Sequence, residues 1–103
     1  MMFAIKPEPQ FLRDYRRVMR EHPELKQEFH AAVVELIHYG RVSEQYSPHV
    51  LLHTGGNYNA HVDFHLSDGK TDVVVLYMPH KTNPIIRLVR MGSHDELFKG
   101  PLK

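Results

Sequence analysis

The sequence contains no cysteine and no tryptophan, and its apolar residues never form a long run. Without cysteine, the chain has no disulfide, no thiolate ligand for zinc or an iron–sulfur cluster, and no thiol nucleophile. A membrane-spanning helix needs roughly 18 apolar residues in succession, so we expect no membrane contact and a cytoplasmic location. Charge of one sign is not in excess either, because 13 Lys and Arg residues against 12 Asp and Glu residues give a net charge of +1. This balance excludes a strongly basic tail and an acidic solvating domain.

Histidine is the residue present in excess, with nine copies among 103 residues. That length predicts one domain over residues 1–103, because two smaller units could not each bury a useful core. Imidazole can act as an acid, a base or a metal ligand near neutral pH. The positions of the histidines along the chain are therefore the first guide to function.

Two stretches with apolar residues every three or four positions predict a helical hairpin. The first helix should end near His22-Pro23, because a residue before proline avoids the helical conformation, and the second should run from Pro23 to a stop at Gly40. The expected core face of the first helix is Phe11, Leu12, Tyr15, Val18 and Met19, and another face carries Arg13, Arg16, Arg17 and Arg20. Such an arginine stripe is typical of a solvated surface, but it also suits contact with RNA phosphates.

The second half of the chain predicts strands, after a loop-like stretch at residues 41–56. With a short strand at residues 1–6, they give the order β-α-α-β-β-β, an α+β fold in which the helical hairpin packs on one face of a mainly antiparallel sheet. A short helix capped by Ser93 should follow. The three later strands are residues 58–66, 73–78 and 85–91. The sheet face left open by the helices would carry Asn59, His61, Asp63 and His65.

Two His-x-x-x-His pairs, His49/His53 and His61/His65, invite a metal site. The first pair lies in the loop, and the second lies on a strand, where four residues span about 13 Å. We therefore expect no metal. In contrast, His61, Asp63 and His65 are about 6–7 Å apart on one strand face, which suits groups that flank a substrate atom. A solvated polar face is the alternative.

Arg87 and Arg90 lie on the last, mostly apolar strand, where a regular alternation would point them to opposite faces. An arginine in such a place favours an anion partner or a buried ion pair over simple packing. A salt bridge across the sheet is an equally good interpretation.

A set of motifs extends over residues 46–99. Tyr46 to His49, the segment 59–62 (Asn-Ala-His-Val), and an aspartate, Asp72, that opens an apolar strand precede the segment 90–98, which reads Arg-Met-Gly-Ser-His-Asp-Glu-Leu-Phe. The last segment, of the form Arg-x-Gly-Ser-His-x-x-Leu-Phe, is the most specific. Together these motifs resemble the YafQ-like toxins of the RelE/ParE superfamily, from bacterial type II toxin–antitoxin systems. The β-α-α-β-β-β order is the RelE-like fold.

The resemblance implies a ribosome-dependent endoribonuclease that cleaves mRNA with no metal or other cofactor. In that reaction the 2′-OH attacks the adjacent phosphate and expels the 5′-oxygen, so a base, an acid and a cation are needed. His61 or His94 would transfer protons with help from His49, but which residue is base and which is acid stays open. Carried over position by position, the catalytic set is His49, His61, Asp72, Arg90, His94 and Phe98. The further candidates for RNA binding are Arg13, Arg16, Arg17, Arg20 and Arg87.

Within that set, the resemblance implies that Arg90 holds the phosphate, that Phe98 contacts or orders the nucleotide, and that Asp72 orients a histidine. His65 has no counterpart in the family and stays outside the set. The implied partners are a cognate antitoxin, the ribosome and mRNA, with operator DNA bound only through the antitoxin complex. A ParE-like gyrase inhibitor without catalysis and a simple RNA-binding or metal-binding domain are the alternatives.

Overall fold

The computed structural model describes residues 2–51, 61–67, 70–79 and 83–99, with side chains described as far as residue 97. It has two long helices, a five-stranded sheet and a π-helical turn at its C-terminal end. These elements confirm the predicted α+β fold. They are β1 (Ala4–Pro7), α1 (Pro9–Glu21), α2 (Lys26–Tyr39), β2 (His49–Val50), β3 (Val62–His65), β4 (Val74–Pro79), β5 (Ile85–Gly92) and the C-terminal turn (Asp95–Lys99). Within the described residues, no helix is long and apolar enough to cross a membrane.

The helical hairpin ends where proline and glycine predict. His22 follows α1, and a short 3-10 turn at Pro23–Leu25 leads into α2. Gly40 follows α2 with a φ of 71°, and its N–H donates to the carbonyl of Leu36 at 2.9 Å. Glycine is favoured at this left-handed position. A Cβ atom here would also lie 2.6 Å from the ring of Phe3.

The sheet has the strand order β1-β5-β4-β3-β2. β1 pairs with β5 in parallel, and the other pairings are antiparallel. The prediction that residues 41–56 form only a loop is wrong, because β2 lies there and pairs with β3. A two-residue strand is too short to show a period in sequence. Of the predicted strand at 58–66, residues 58–60 lie outside the described residues, and β3 confirms the strand at Val62–His65.

Both helices pack on one face of the sheet, where alternate residues of β3, β4 and β5 meet them. Leu12, expected in this core, is 39% exposed, whereas Asp14 is 1% exposed. The buried line along α1 therefore runs through positions 11, 14 and 18. Burial in the same core raises the pKa of Tyr77 to about 12. The core includes Phe11, Val18, Phe29, Leu36, Phe64, Val75, Tyr77, Leu88 and Met91.

A β-bulge between β4 and β5 changes the alternation of side chains along β5. The register shifts between Leu76 and Tyr77, so that Arg87 pairs with Met78 and Arg90 pairs with Leu76. Paired residues of neighbouring strands share a face, and the two β4 partners are two residues apart. Both arginines therefore lie on the same face, contrary to the expectation for a regular strand, because the extra residue of a bulge restarts the alternation.

Candidate active site

Three histidines form a row across the sheet face that points away from the helices. The ring of His65 lies 6.1 Å from that of His49 and 5.0 Å from that of His94, between ring centroids. We call His49, His65 and His94 the histidine row. Each end of the row has a carboxylate, with Asp63 beside His49 and Asp72 beside His94. The row is assembled from β2, β3 and the segment after β5.

Asp72 holds His94 at two points. The Nδ1 atom of the His94 ring is hydrogen-bonded to Oδ1 of Asp72 at 2.7 Å, and the His94 backbone N–H donates to both carboxylate oxygens at 3.3 Å. Partial burial alone would raise the pKa of Asp72, but the hydrogen bonds from His94 outweigh it and lower the pKa. Asp72 therefore stays ionised and fixes both the position of His94 and the orientation of its ring.

The segment that carries His94 is anchored on its other side as well. The Glu96 N–H donates to Oγ of Ser93, and the Ser93 N–H donates to Oε1 of Glu96, both at 3.1 Å. This reciprocal pair is a capping box, and it confirms the predicted Ser93 cap. Glu96 also forms an ion pair with Arg17 of α1 at 2.7 Å. One member of the arginine stripe therefore ties the C-terminal turn to α1.

Asp63 differs from Asp72 because it is buried. Its residue is 5% exposed, and its Oδ1 atom has no hydrogen-bond partner among the described residues. The Nδ1 atom of His49 lies 3.8 Å from Oδ1, which is beyond hydrogen-bonding distance. Burial raises the pKa of Asp63, and the nearby histidines only partly offset that rise. The expectation that Asp63 lies on an open polar face is therefore wrong.

Arg90 forms a buried ion pair with a residue that the sequence analysis did not single out. Its Nε donates to Oδ2 of Asp14 at 2.7 Å, and one terminal nitrogen lies 3.5 Å from Oδ1. The Met91 N–H donates to the same Oδ2 at 3.1 Å, and Gln10 donates to Oδ1 at 3.0 Å. β1 pairs with β5 only as far as Leu88. Beyond that point the carboxylate of Asp14, rather than β1, accepts a backbone hydrogen bond from the edge of β5.

The other candidate arginines lie at the surface. Arg87 forms an ion pair with Glu8, with Nε donating to Oε2 at 2.7 Å. Arg13 donates to the side chain of Gln10 at 3.0 Å. The exposed members of the stripe are Arg13, Arg16 and Arg20. An ion pair, rather than a free cation, is therefore what the structure shows at Arg17, Arg87 and Arg90.

The structure brings some members of the proposed catalytic set together. His49, Asp72 and His94 lie on one face. Arg90 lies on the same face by the strand register, because Arg90 and Asp63 both pair with Leu76. Its Nε donates to Asp14 of α1. His61 lies half-buried directly before β3, where its carbonyl accepts the Leu51 N–H at 2.8 Å. Residues 53 and 59 and the side chain of Phe98, which is part of the C-terminal turn, lie outside the described residues.

Sequence reasoning left two residues out of the proposed set: His65, for lack of a family counterpart, and Asp14, which it did not single out. His65 lies at the centre of the row, and its spacing from Asp63 on β3 had marked both as candidates for acid–base chemistry. The pairing of His49 with Asp63 was not foreseen because β2 was not. Asp14 carries a simpler signal, since it is an acidic residue in the apolar line of α1.

Comparisons with known proteins agree with this architecture. A family model described as the bacterial toxin of a type II toxin–antitoxin system, YafQ, matches residues 3–99. A metal-bound toxin from Helicobacter pylori is 28% identical, with a TM-score of 0.71, over 94% of this chain and 100% of that one. The conserved hypothetical protein HP0892 from the same organism is 27% identical, with a TM-score of 0.62 and the same coverage.

The toxin in the E. coli DinJ–YafQ toxin–antitoxin complex has the same fold, with 19% identity and a TM-score of 0.71 over 95% of this chain and 99% of that one. Among curated proteins, no sequence matches significantly. The family model covers nearly all of the described residues, including both ends of the histidine row. The chain belongs to the YafQ family of toxins from bacterial type II toxin–antitoxin systems.

Proposed function

We propose that this toxin is a ribosome-dependent endoribonuclease that cleaves mRNA without using a metal. The observation that supports this most directly is the hold of Asp72 on His94, at the ring and at the backbone. A carboxylate that orients an imidazole in this way sets which ring nitrogen faces the substrate. Membership of a toxin family and the neighbouring histidines on the same face support the same reading.

The reaction transfers two protons. A base takes the proton of the 2′-OH, the 2′-oxygen forms a bond to phosphorus, the bond from phosphorus to the 5′-oxygen breaks, and an acid protonates that leaving oxygen. The products are a 2′,3′-cyclic phosphate and a 5′-hydroxyl. Asp72 engages Nδ1 of His94, so we assign proton transfer to its Nε2 atom. His61 or His49 would serve as the second proton-transfer group.

Arg90 would stabilise the charge that develops on the phosphate. A guanidinium has five N–H donors in a planar fork, and Asp14 holds it mainly through Nε. Asp14 is thus a positioning residue, which fixes Arg90 without touching RNA. Phe98 would contact the nucleotide. The exposed Arg13, Arg16 and Arg20, with Arg87, would contact RNA phosphates.

The partners we propose follow from the same role. The E. coli relative is seen in a complex with DinJ, and for this chain we propose a cognate antitoxin that covers the site. Operator DNA would be bound only through that complex. The substrate, mRNA on the ribosome, places the free toxin in the cytoplasm.

Cleavage of mRNA on programmed ribosomes tests the proposal. Removing one proton-transfer group lowers a rate by about 10²–10⁴-fold. We therefore expect His94→Ala to lose at least about 10²-fold in cleavage rate, and Asp72→Asn to lose part of that, since the ring remains but is held less well. His30→Ala, at an exposed position of α2, is the matched control and should cleave like the wild type.

Intact mRNA with the folded wild-type protein would contradict the proposal, and so would full cleavage by His94→Ala. Inhibition of gyrase without any RNA cleavage would instead place the chain with non-catalytic relatives.

A further inference from the structure

We propose that His49, Asp63 and His65 form a binding site for a divalent transition-metal ion such as Zn²⁺, and that an ion bound there switches the toxin off. The site lies at the β2–β3 end of the histidine row. The switching part of the proposal rests on the nuclease function proposed above, whereas the binding part does not.

The donor set is suitable for such an ion. Each of the three residues offers one ligand atom, and these atoms all lie within 4.8 Å of one another. Two imidazoles and a carboxylate are ligands that Zn²⁺ accepts, at bond lengths of about 2.0–2.2 Å. Tetrahedral geometry at those bond lengths separates ligand atoms by roughly 3.4 Å. To close the site, the ligand atoms must therefore approach one another by up to about 1.4 Å.

The chain can make these movements on one side. The side chain of His49 is 65% exposed and lies on the two-residue strand β2, so its ring is free to turn. Asp63 lies directly across from it in the register, and His65 is two residues further along the same face. The three donors thus come from two adjacent strands rather than from one, which is why the spacing of His61 and His65 along a single strand did not reveal the site.

The state of Asp63 is an independent observation that indicates a cation. Its side chain is 7% exposed, and its Oδ1, the atom nearest to His49, is buried with no hydrogen-bond partner among the described residues. A buried polar atom without a partner is costly. An ion bound between the imidazoles would supply the missing partner for Oδ1, whereas nothing in the proposed cleavage reaction requires it.

An ion at this position would interfere with catalysis. His49, a member of the proposed catalytic set, would be a ligand and could no longer assist proton transfer. The His65 ring is 5.0 Å from the ring of His94, so fixing His65 would also bring positive charge close to the proposed proton donor or acceptor. We therefore expect inhibition rather than activation.

The test is calorimetric titration of the chelator-treated, full-length protein with ZnCl₂. Wild type should bind one equivalent, and its melting temperature should rise with zinc, because an ion that binds only the folded state stabilises it. MgCl₂ is the control ion, since Mg²⁺ prefers oxygen ligands and should not bind here. Asp63→Asn and His65→Gln should each weaken zinc binding at least about tenfold. His30→Gln, an exposed histidine of α2, should bind like the wild type.

Two results would overturn the binding proposal: no zinc bound by the wild type, or unchanged affinity in folded His65→Gln, which would place the zinc on other histidines. His65→Gln tests the same site without altering the buried carboxylate. In the ribosome assay, one equivalent of zinc should abolish cleavage by the wild type, whereas the rate of His65→Gln should be the same with and without zinc. Zinc that binds as expected but leaves cleavage unchanged would refute the switch. A wild type that binds zinc but never cleaves RNA would refute the nuclease function and leave the metal site standing.

Discussion

Replacing Asp14 by alanine should destabilise the fold far more than replacing Glu8, although each carboxylate pairs with an arginine of β5. The two pairs differ in burial. Asp14 is 1% exposed and its partner Arg90 has a side chain that is 19% exposed, whereas the side chains of Glu8 and Arg87 are 31% and 55% exposed. The two variants therefore remove the same kind of ion pair, one buried and one exposed.

The expected magnitudes follow from that burial. Removing one partner of a buried pair typically costs about 3–5 kcal/mol, because it leaves an uncompensated charge. Asp14 also accepts the N–H of Met91, which is fully buried, so its removal leaves that donor without an acceptor. An exposed pair contributes about 0–1 kcal/mol. For a domain of about 100 residues, 1 kcal/mol shifts the melting temperature by about 4–8 °C, so we expect a loss of at least about 12 °C for Asp14→Ala and at most about 8 °C for Glu8→Ala.

Thermal and urea denaturation followed by circular dichroism measure this difference. Salt provides a second check, since an exposed pair is screened at high ionic strength and a buried one much less. A third is the double variant Asp14→Leu/Arg90→Met, which removes both charges and should recover much of the stability while remaining unable to cleave RNA. Equal losses for the two single variants would refute the reasoning.

Three further predictions concern other parts of the chain. In the presence of a chelator, Asp63→Asn should raise the melting temperature at pH 7.5 by about 4–8 °C. The reason is that removing the buried charge should stabilise the fold by about 1 kcal/mol. Because the folded pKa of Asp63 is raised, its ionisation costs stability above the unfolded pKa, and this cost disappears as the pH falls. The difference in melting temperature between Asp63→Asn and the wild type should therefore vanish near pH 4. A difference that persisted at pH 4 would contradict this prediction. Gly40→Ala should destabilise by about 1–2 kcal/mol in urea, from the positive φ, and Phe3→Leu, which removes the ring contact, should restore only part of the loss. Arg17→Gln should cost at most about 1 kcal/mol, since its ion pair with Glu96 is partly exposed, yet amide exchange in the C-terminal turn should accelerate.

Periodicity predicted the elements that are long enough to show it. α1, α2, β4 and β5 each extend over several repeats, and proline and glycine marked the helix ends. β2 has two residues, and only its pairing with β3 makes it a strand. The bulge at Leu76/Tyr77 is likewise a property of two strands in contact. The expectation that Arg87 and Arg90 point to opposite faces of the sheet is wrong for that reason.

The residues of the candidate site likewise differ in whether a linear sequence pattern could identify them. Asp72 and His94 were found through a resemblance in sequence, and the structure shows them in contact. His65 joins His49 and His94 only across strands, so no linear pattern could place it at the centre of the row. The partner of Arg90 was equally remote, since Asp14 is 76 positions away. Its unusual place in the apolar line of α1 was nevertheless visible in the sequence.

Among the described residues, Asp14 and Asp63 are the two buried carboxylates, and their surroundings assign them different roles. Asp14 accepts hydrogen bonds from Arg90, Met91 and Gln10, so its burial is compensated and it serves to fix the edge of β5. Asp63 leaves one oxygen without such a partner, so in the isolated chain its burial is a net cost. Local rules of folding are broken mainly where function requires it. The buried carboxylate of Asp63 lies beside the imidazoles of His49 and His65. We therefore expect the folded chain to bind a cation at this position.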